Sequence, residues 1–100
     1  MLFRSLKINE PLELECGKFL DEYQIAYETY GTLNENGDNA ILVLHALTAD
    51  AHAAGKHSED DTKFGWWNEM IGPDKAFDTN KFFVILFNFL VWNIFIVYVL

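Results

Sequence analysis

The feature that most constrains the fold is an apolar run without alternation, AILVL, from Ala40 to Leu44. A strand with one face in water would alternate apolar and polar residues. A continuous run between turn-forming residues instead predicts a strand covered on both faces, as in the sheet interior of an α/β protein. A second run, FFVILF, begins at Phe82 after a turn. We therefore predict two buried strands in one sheet.

The residues before these strands alternate and predict a β-hairpin. The segment LELECGK starts at Leu12, alternates apolar residues with glutamates and ends in a glycine turn. The segment EYQIAYETYG, which starts at Glu22, alternates again. Residues 49–63 are small, polar and charged, and we expect a long exposed connection there. The order is hairpin, buried strand, loop and buried strand: the N-terminal part of an α/β domain with an incomplete sheet.

Charge and cysteine content limit the partners and the location. All seven Lys and Arg and all fifteen Asp and Glu lie in residues 1–81, so this part of the chain is acidic. Affinity for nucleic acid comes largely from basic residues that neutralise phosphates, so no nucleic-acid partner is expected. Cys16 is the single cysteine, which excludes an internal disulfide and favours a reducing, cytoplasmic location.

Three histidines lie close together after the first buried strand. His45, His52 and His57 fall within thirteen residues and include Asp50 between them, but their spacing matches no zinc pattern. We therefore expect no metal. His45 is expected to hydrogen-bond at the strand end. His57 lies among acidic residues and is expected to be solvated.

The position of the loop that begins at His45 suggests a catalytic role. Active sites of open α/β sheets gather outside the carboxyl ends of the strands. In α/β-hydrolase enzymes, one backbone N–H of the oxyanion hole comes from the loop after the third strand. The third predicted strand here ends at Leu44, and the loop reads His45, Ala46, Leu47, Thr48.

Five segments in register resemble one family. PLELECGK, IAYETYGTLN, NAILVLHALTADAHAAG, GWWNEMIGP and DTNKFFVI are similar to the N-terminal part of the homoserine O-acetyltransferases, over about residues 10–90. The resemblance implies an α/β-hydrolase-fold acyltransferase of methionine biosynthesis. Its substrates would be L-homoserine and acetyl-CoA, which is a co-substrate and not a bound cofactor. A different α/β-hydrolase remains the nearest alternative, and the acyl donor, acetyl or succinyl, stays open, as does a homodimer.

The resemblance also implies site residues. It assigns Leu47 the backbone N–H of the oxyanion hole. It places the other pocket residues around that loop: His45, Ala46, Thr48, Asp50, Trp66 and Trp67, with at least one tryptophan in the core. The family usually has glycine where this chain has Ala49, and alanine would be strained if that position required a positive φ.

The catalytic triad has no counterpart in this sequence. A Ser-His-Asp mechanism requires a nucleophile on a Gly-x-Ser-x-Gly elbow, and neither Ser5 nor Ser58 has flanking glycines. The nucleophile, with its His and Asp, is therefore absent, and we expect this chain alone to be inactive.

The end of the chain departs from the family pattern. After residue 90 a hydrophobic tail, residues 91–100, replaces the expected glycine-rich segment, which predicts a frameshift or gene fragment. The run from Phe82 to Leu100 carries no charge, so the alternative is a small membrane-anchored protein without catalytic activity, with a C-terminal spanning helix. Against it, the run is rich in β-branched and aromatic residues.

Overall fold

The computed structural model describes residues 2–46 and 49–88. Within these ranges every regular element is a strand. In chain order they are β1 (Leu2–Ile8), β2 (Leu12–Glu13), β3 (Phe19–Leu20), β4 (Tyr23–Tyr30), β5 (Ala40–Val43), β6 (Ile71–Gly72), β7 (Phe77–Asp78) and β8 (Phe83–Phe87).

Four strands form one mixed sheet in the order β1-β4-β8-β5. β4 pairs antiparallel with β1 on one side and with β8 on the other. β8 pairs parallel with β5, and Val43 lies opposite Leu86. A parallel pair requires a crossover connection, which residues 44–82 provide. The carboxyl ends of β5 and β8 therefore lie at the same edge of the sheet.

The predicted hairpin partner of β4 is wrong. The glycine turn does close a hairpin, but it joins β2 to the two-residue β3, with Leu12 opposite Leu20. Gly17 has φ +85° and donates its N–H to the Leu14 carbonyl oxygen at 2.9 Å. β4 pairs instead with β1 over seven residue pairs. This longer pairing satisfies the backbone of β4 along most of its length, which the two-residue β2 could not do.

The strand predicted from Ala40 is present, but it is not covered on both faces. Val43 is buried, whereas Leu42 and Leu44 are 55% and 58% exposed. Among the described residues, the connection covers only the face of β5 that carries Ile41 and Val43. β8 lies between two neighbours, and its Val84 and Leu86 are fully buried.

The connection after β5 folds back onto one face of the sheet. The buried cluster combines sheet residues with residues of this connection: Tyr30, Val43, Val84 and Leu86 with Ala51, Ala53, Ala54 and Ile71. The expectation that residues 49–63 are exposed is therefore wrong for the alanines. Their small side chains let the connection approach the sheet closely, so the backbone itself packs into the core.

Gly65 shows how closely two parts of this connection approach each other. A Cβ at this position would lie 2.2 Å from the Ala53 carbonyl carbon. The Gly65 N–H donates to the Gly55 carbonyl oxygen at 3.0 Å, and the Trp67 N–H donates to the Ala53 carbonyl oxygen at 2.7 Å. The two segments therefore pair backbone to backbone, and only glycine leaves room for that contact.

The opposite face of the sheet carries a shallow apolar depression. It is lined by Leu6, Ile25, Tyr27, Ile85 and Phe87, which come from β1, β4 and β8. Alternation along each strand separates these side chains from the buried cluster on the other face.

The alternative of a membrane-anchored protein has no support. Residues 83–87 form a sheet strand, not a helix. Across the described residues, no helix has the length and apolar character required to cross a bilayer. The hydrophobic tail, residues 91–100, lies outside the described residues.

Candidate active-site loop and a buried Glu-His-His cluster

The loop that follows β5 begins at the predicted place. His45 is buried, and its Nδ1 lies 2.6 Å from the Ala46 carbonyl oxygen. Because a carbonyl oxygen can only accept, Nδ1 donates in this hydrogen bond. The Ala49 N–H donates to the same Ala46 oxygen at 2.9 Å. Leu47 and Thr48 lie outside the described residues, so their roles stay predictions.

A residue at the end of β8 fixes the next part of the loop. The side-chain oxygen of Asn88 accepts the Ala51 N–H at 2.6 Å, and the Asn88 N–H donates to the Ala26 carbonyl oxygen at 2.8 Å. Asn88 therefore connects the loop to two strands of the sheet. This contact depends on β5 and β8 being parallel neighbours, which sequence spacing does not reveal.

The two tryptophans have different environments. Trp67 packs against the buried cluster, and its ring also contacts Phe77 at a centroid distance of 5.2 Å. Trp66 is 40% exposed, stacks on Trp67 at 5.5 Å and donates its indole N–H to the Asp50 carbonyl oxygen at 2.9 Å. The Asp50 carboxylate accepts the His52 N–H at 2.9 Å. Asp50 and Trp66 therefore act together to hold the loop.

A buried carboxylate lies beneath this loop. The Glu28 side chain is fully buried on β4 and accepts a hydrogen bond from the Tyr30 hydroxyl. That hydroxyl also accepts the N–H groups of Ala53 and Ala54, at 3.0 and 3.1 Å. Burial, followed by the hydrogen bond to the Glu28 carboxylate, raises the pKa of Tyr30 well above its usual value of 10.0.

Two histidines of the loop complete the cluster around Glu28. His52 Nδ1 lies 3.1 Å from both carboxylate oxygens, and His57 Nε2 contacts one of them. The two imidazole rings lie 3.9 Å apart, centroid to centroid. The expectation that His57 is solvated is therefore only half right: its side chain is 48% exposed, but its ring nitrogen faces the buried carboxylate.

Sequence inspection missed Glu28 and Tyr30. The alternation of β4 placed Glu28 opposite the apolar positions, where a charged residue is normally solvated. Only the fold shows that the connection covers the side of the sheet that carries Glu28. Three histidines in a short segment were a signal, but Glu28, the partner that His52 and His57 share, lies 24 and 29 residues earlier in the chain.

Neither serine of the chain has the geometry of a nucleophile elbow. Ser5 lies on β1 and donates its hydroxyl to the Gln24 side chain at 2.9 Å. Ser58 lies in the exposed loop, where its N–H and that of His57 donate to the Asp61 carboxylate. These two N–H groups hold the pKa of Asp61 below its usual value, with the Ser58 contribution the larger.

The arrangement defines a class of protein. The described residues form the N-terminal part of an α/β-hydrolase fold. They contain a mixed sheet, a loop at the carboxyl end of a parallel strand, and a hydrogen bond from that loop to Asn88 after the neighbouring parallel strand. Esterase E22 superimposes with a TM-score of 0.81 at 37% identity, over 87% of this chain and 23% of that one. Homoserine O-acetyltransferase from Bacillus anthracis superimposes with a TM-score of 0.77 at 42% identity, over 88% and 24%.

Within that class, the chain matches the N-terminal region of the homoserine O-acyltransferases. It is 58% identical over 90 residues to the homoserine O-acetyltransferase of Carboxydothermus hydrogenoformans, which is 89% of this chain and 24% of that protein. It is also 58% identical over 82 residues to the homoserine O-succinyltransferase of Marinomonas sp., 82% of this chain and 21% of that protein. The chain thus spans less than a quarter of these curated relatives. No protein-family profile matches it.

Proposed function

We propose that this chain forms the N-terminal part of a homoserine O-acyltransferase and supplies one donor of its oxyanion hole. The single observation that carries the proposal is the identity of 58% to a homoserine O-acetyltransferase across the loop and its flanking strands. The substrates would be L-homoserine and an acyl-CoA, and the reaction would serve methionine biosynthesis in the cytoplasm.

In the proposed reaction, a serine supplied by the rest of the enzyme attacks the thioester carbonyl of acyl-CoA. The acyl group passes to the serine oxygen, and the CoA thiol leaves with a proton. The homoserine hydroxyl then attacks the acyl-serine, which yields the O-acyl ester and regenerates the serine. Both tetrahedral intermediates place negative charge on the former carbonyl oxygen, and the Leu47 N–H would donate to it.

The geometry around the loop supports this assignment. The hydrogen bond from Ala49 to Ala46 and the Asn88 contact to Ala51 fix described residues on both sides of Leu47. An oxyanion donor stabilises charge best when it needs no reorganisation, and a loop fixed on both sides meets that condition. His45, Ala46, Thr48, Asp50 and Trp66 would border the pocket, with Trp67 behind them.

A chimera tests the Leu47 assignment. Residues 1–88 of this chain would replace the matching segment of the Carboxydothermus enzyme, and release of CoA thiol would report acyl transfer. Leu47→Pro removes the backbone N–H, whereas Leu47→Ala keeps it and serves as the control. We expect the proline variant to lose about 10²–10³-fold in kcat and the alanine variant to stay near the parent. Equal activities of the two variants would contradict the role.

A second pair of chimeras addresses the acyl donor. The chain is equally similar to relatives named for acetyl and for succinyl transfer. We therefore infer that donor choice is determined outside the matched segment. The same residues placed in an acetyltransferase and in a succinyltransferase should leave each enzyme with its own donor preference in kcat/KM. A preference that follows the transplanted segment would contradict this inference.

A further inference from the structure

We propose that Glu28, His52 and His57 form a binding site for a divalent transition-metal ion of the zinc class. The proposal rests on the cluster alone and is independent of the acyltransferase reaction. One oxygen of Glu28, Nδ1 of His52 and Nε2 of His57 all lie within 4.8 Å of one another.

The ligand set suits zinc in type and in number. Zinc is bound by imidazole nitrogen and carboxylate oxygen, and two histidines with one glutamate is an established three-ligand set. A tetrahedral ion with bonds of about 2.0–2.2 Å holds neighbouring ligand atoms roughly 3.3 Å apart. His52 Nδ1 already lies 3.1 Å from Glu28. His57 is closer and would move outward, which its exposed loop position allows.

The charge balance of the cluster also favours a cation. A fully buried carboxylate is costly unless positive charge compensates it. Among the described residues, the lysine ion pairs are Lys7–Glu22 and Lys81–Asp78, so neither neutralises Glu28. Its basic contacts are the two imidazoles, which compensate a negative charge only when they are protonated. A divalent ion would supply the compensating charge.

The surroundings provide the support and the access that a metal site requires. The Tyr30 hydroxyl donates to the second Glu28 oxygen and is itself held by the Ala53 and Ala54 N–H groups. Such outer hydrogen bonds orient a ligating carboxylate. The side chain of His57 is 48% exposed and that of His52 is 20% exposed, so an ion can enter from solvent. Water can occupy the fourth position.

Metal titrations of the complete chain without a histidine tag test the site. The protein, freed of metal with a chelator, would be titrated with Co²⁺, whose visible absorption reports coordination, and with Zn²⁺ by calorimetry. We expect one ion per chain, a Co²⁺ spectrum of four- or five-coordinate intensity, and weaker binding in acid, because a protonated imidazole has no lone pair for the ion. Zn²⁺ should also raise the melting temperature.

Variants decide whether the bound ion occupies this cluster. His57→Gln lies on an exposed loop, so the fold should survive, and we expect its Zn²⁺ affinity to fall at least about tenfold. His52→Gln should weaken binding in the same way. Glu59→Gln is the matched control, because Glu59 is an exposed acid in the same loop outside the cluster. Its affinity should stay within about twofold of the parent.

Two outcomes would overturn the proposal. If neither ion binds at 1:1 stoichiometry with a Kd below about 100 μM, the cluster is a hydrogen-bonded network only. If His57→Gln binds as tightly as the parent, the ion occupies a different part of the surface. Circular dichroism of each variant verifies that it is folded before its affinity is compared.

Discussion

At the scale of single residues, the buried Tyr30 hydroxyl connects β4 to the loop through several hydrogen bonds. The hydroxyl donates to Glu28 and accepts two backbone N–H groups of the loop. All of these groups are buried, so removing the oxygen leaves a carboxylate and two N–H donors with fewer partners. An unsatisfied buried polar group costs about 1–3 kcal/mol, more when it is charged.

We therefore expect Tyr30→Phe to lower the free energy of unfolding by about 2–4 kcal/mol. Urea denaturation followed by circular dichroism measures this change. Tyr27→Phe is the matched control, because Tyr27 lies on the same strand but faces the apolar depression. The control should change stability by less than about 0.5 kcal/mol. Similar losses in both variants would show that the hydrogen bonds of Tyr30 contribute little.

The raised pKa of Tyr30 gives a pH dependence with a definite sign. The folded protein keeps the phenol protonated above pH 10.0, where the phenol of the unfolded chain loses its proton. The stabilisation from this group is therefore complete below pH 10.0 and declines above it, by up to about 1.4 kcal/mol per pH unit. Tyr30→Phe lacks the group, so the stability difference between parent and variant should shrink between pH 10 and 11. A constant difference would contradict the assignment.

At the scale of elements, the connection after β5 is held around Ala53 and Gly65 by close contacts between backbone segments. Gly65 lies against the backbone of Ala53, and three small alanines face the sheet. Such packing tolerates no added volume, because the obstructing atoms belong to main chain and cannot rotate away.

Gly65→Ala should therefore destabilise the chain by more than about 2 kcal/mol. Gly37→Ala is the control, because a Cβ at Gly37 meets nothing within 4 Å. Gly37 has φ +66°, so its substitution should cost only the backbone strain of about 1 kcal/mol. Thermal melts of both variants give the comparison, and an equal loss at the two positions would argue against a tight contact at Gly65.

At the scale of the whole molecule, the sequence predicted the class of fold and two strands of its sheet. The apolar runs placed β5 and β8 correctly, because continuous hydrophobicity is a local property. The pairing of β1 with β4 and the covering of Glu28 could not be predicted, because both depend on contacts between distant residues. The burial of β5 was overestimated for the same reason. An apolar strand tends to pack against other residues, but its composition does not show whether residues elsewhere in the chain lie over each of its faces.

The exposed side of β5 gives a prediction about association. Leu42 lies in the edge strand β5, Leu44 follows it, and both side chains are exposed. Exposed edge strands and exposed apolar side chains favour association between chains. We expect concentration-dependent self-association in sedimentation velocity, and we expect Leu42→Lys to reduce it. Phe19→Lys adds the same single positive charge at an exposed apolar position of the separate β2–β3 hairpin and should have less effect. A monomer at all concentrations would contradict the prediction.

The strand order also has a consequence for how the chain folds. β5 and β4 are not neighbours, because β8, the last described strand to be synthesised, lies between them. A nascent chain that ends before β8 can pair β1 with β4, but it leaves β5 without a partner in this sheet. Contacts of such long sequence separation form slowly, since the intervening chain must first be closed into a loop. The loop after β5 can thus gain its hydrogen bond from Ala51 to Asn88 only after β8 has inserted between β4 and β5.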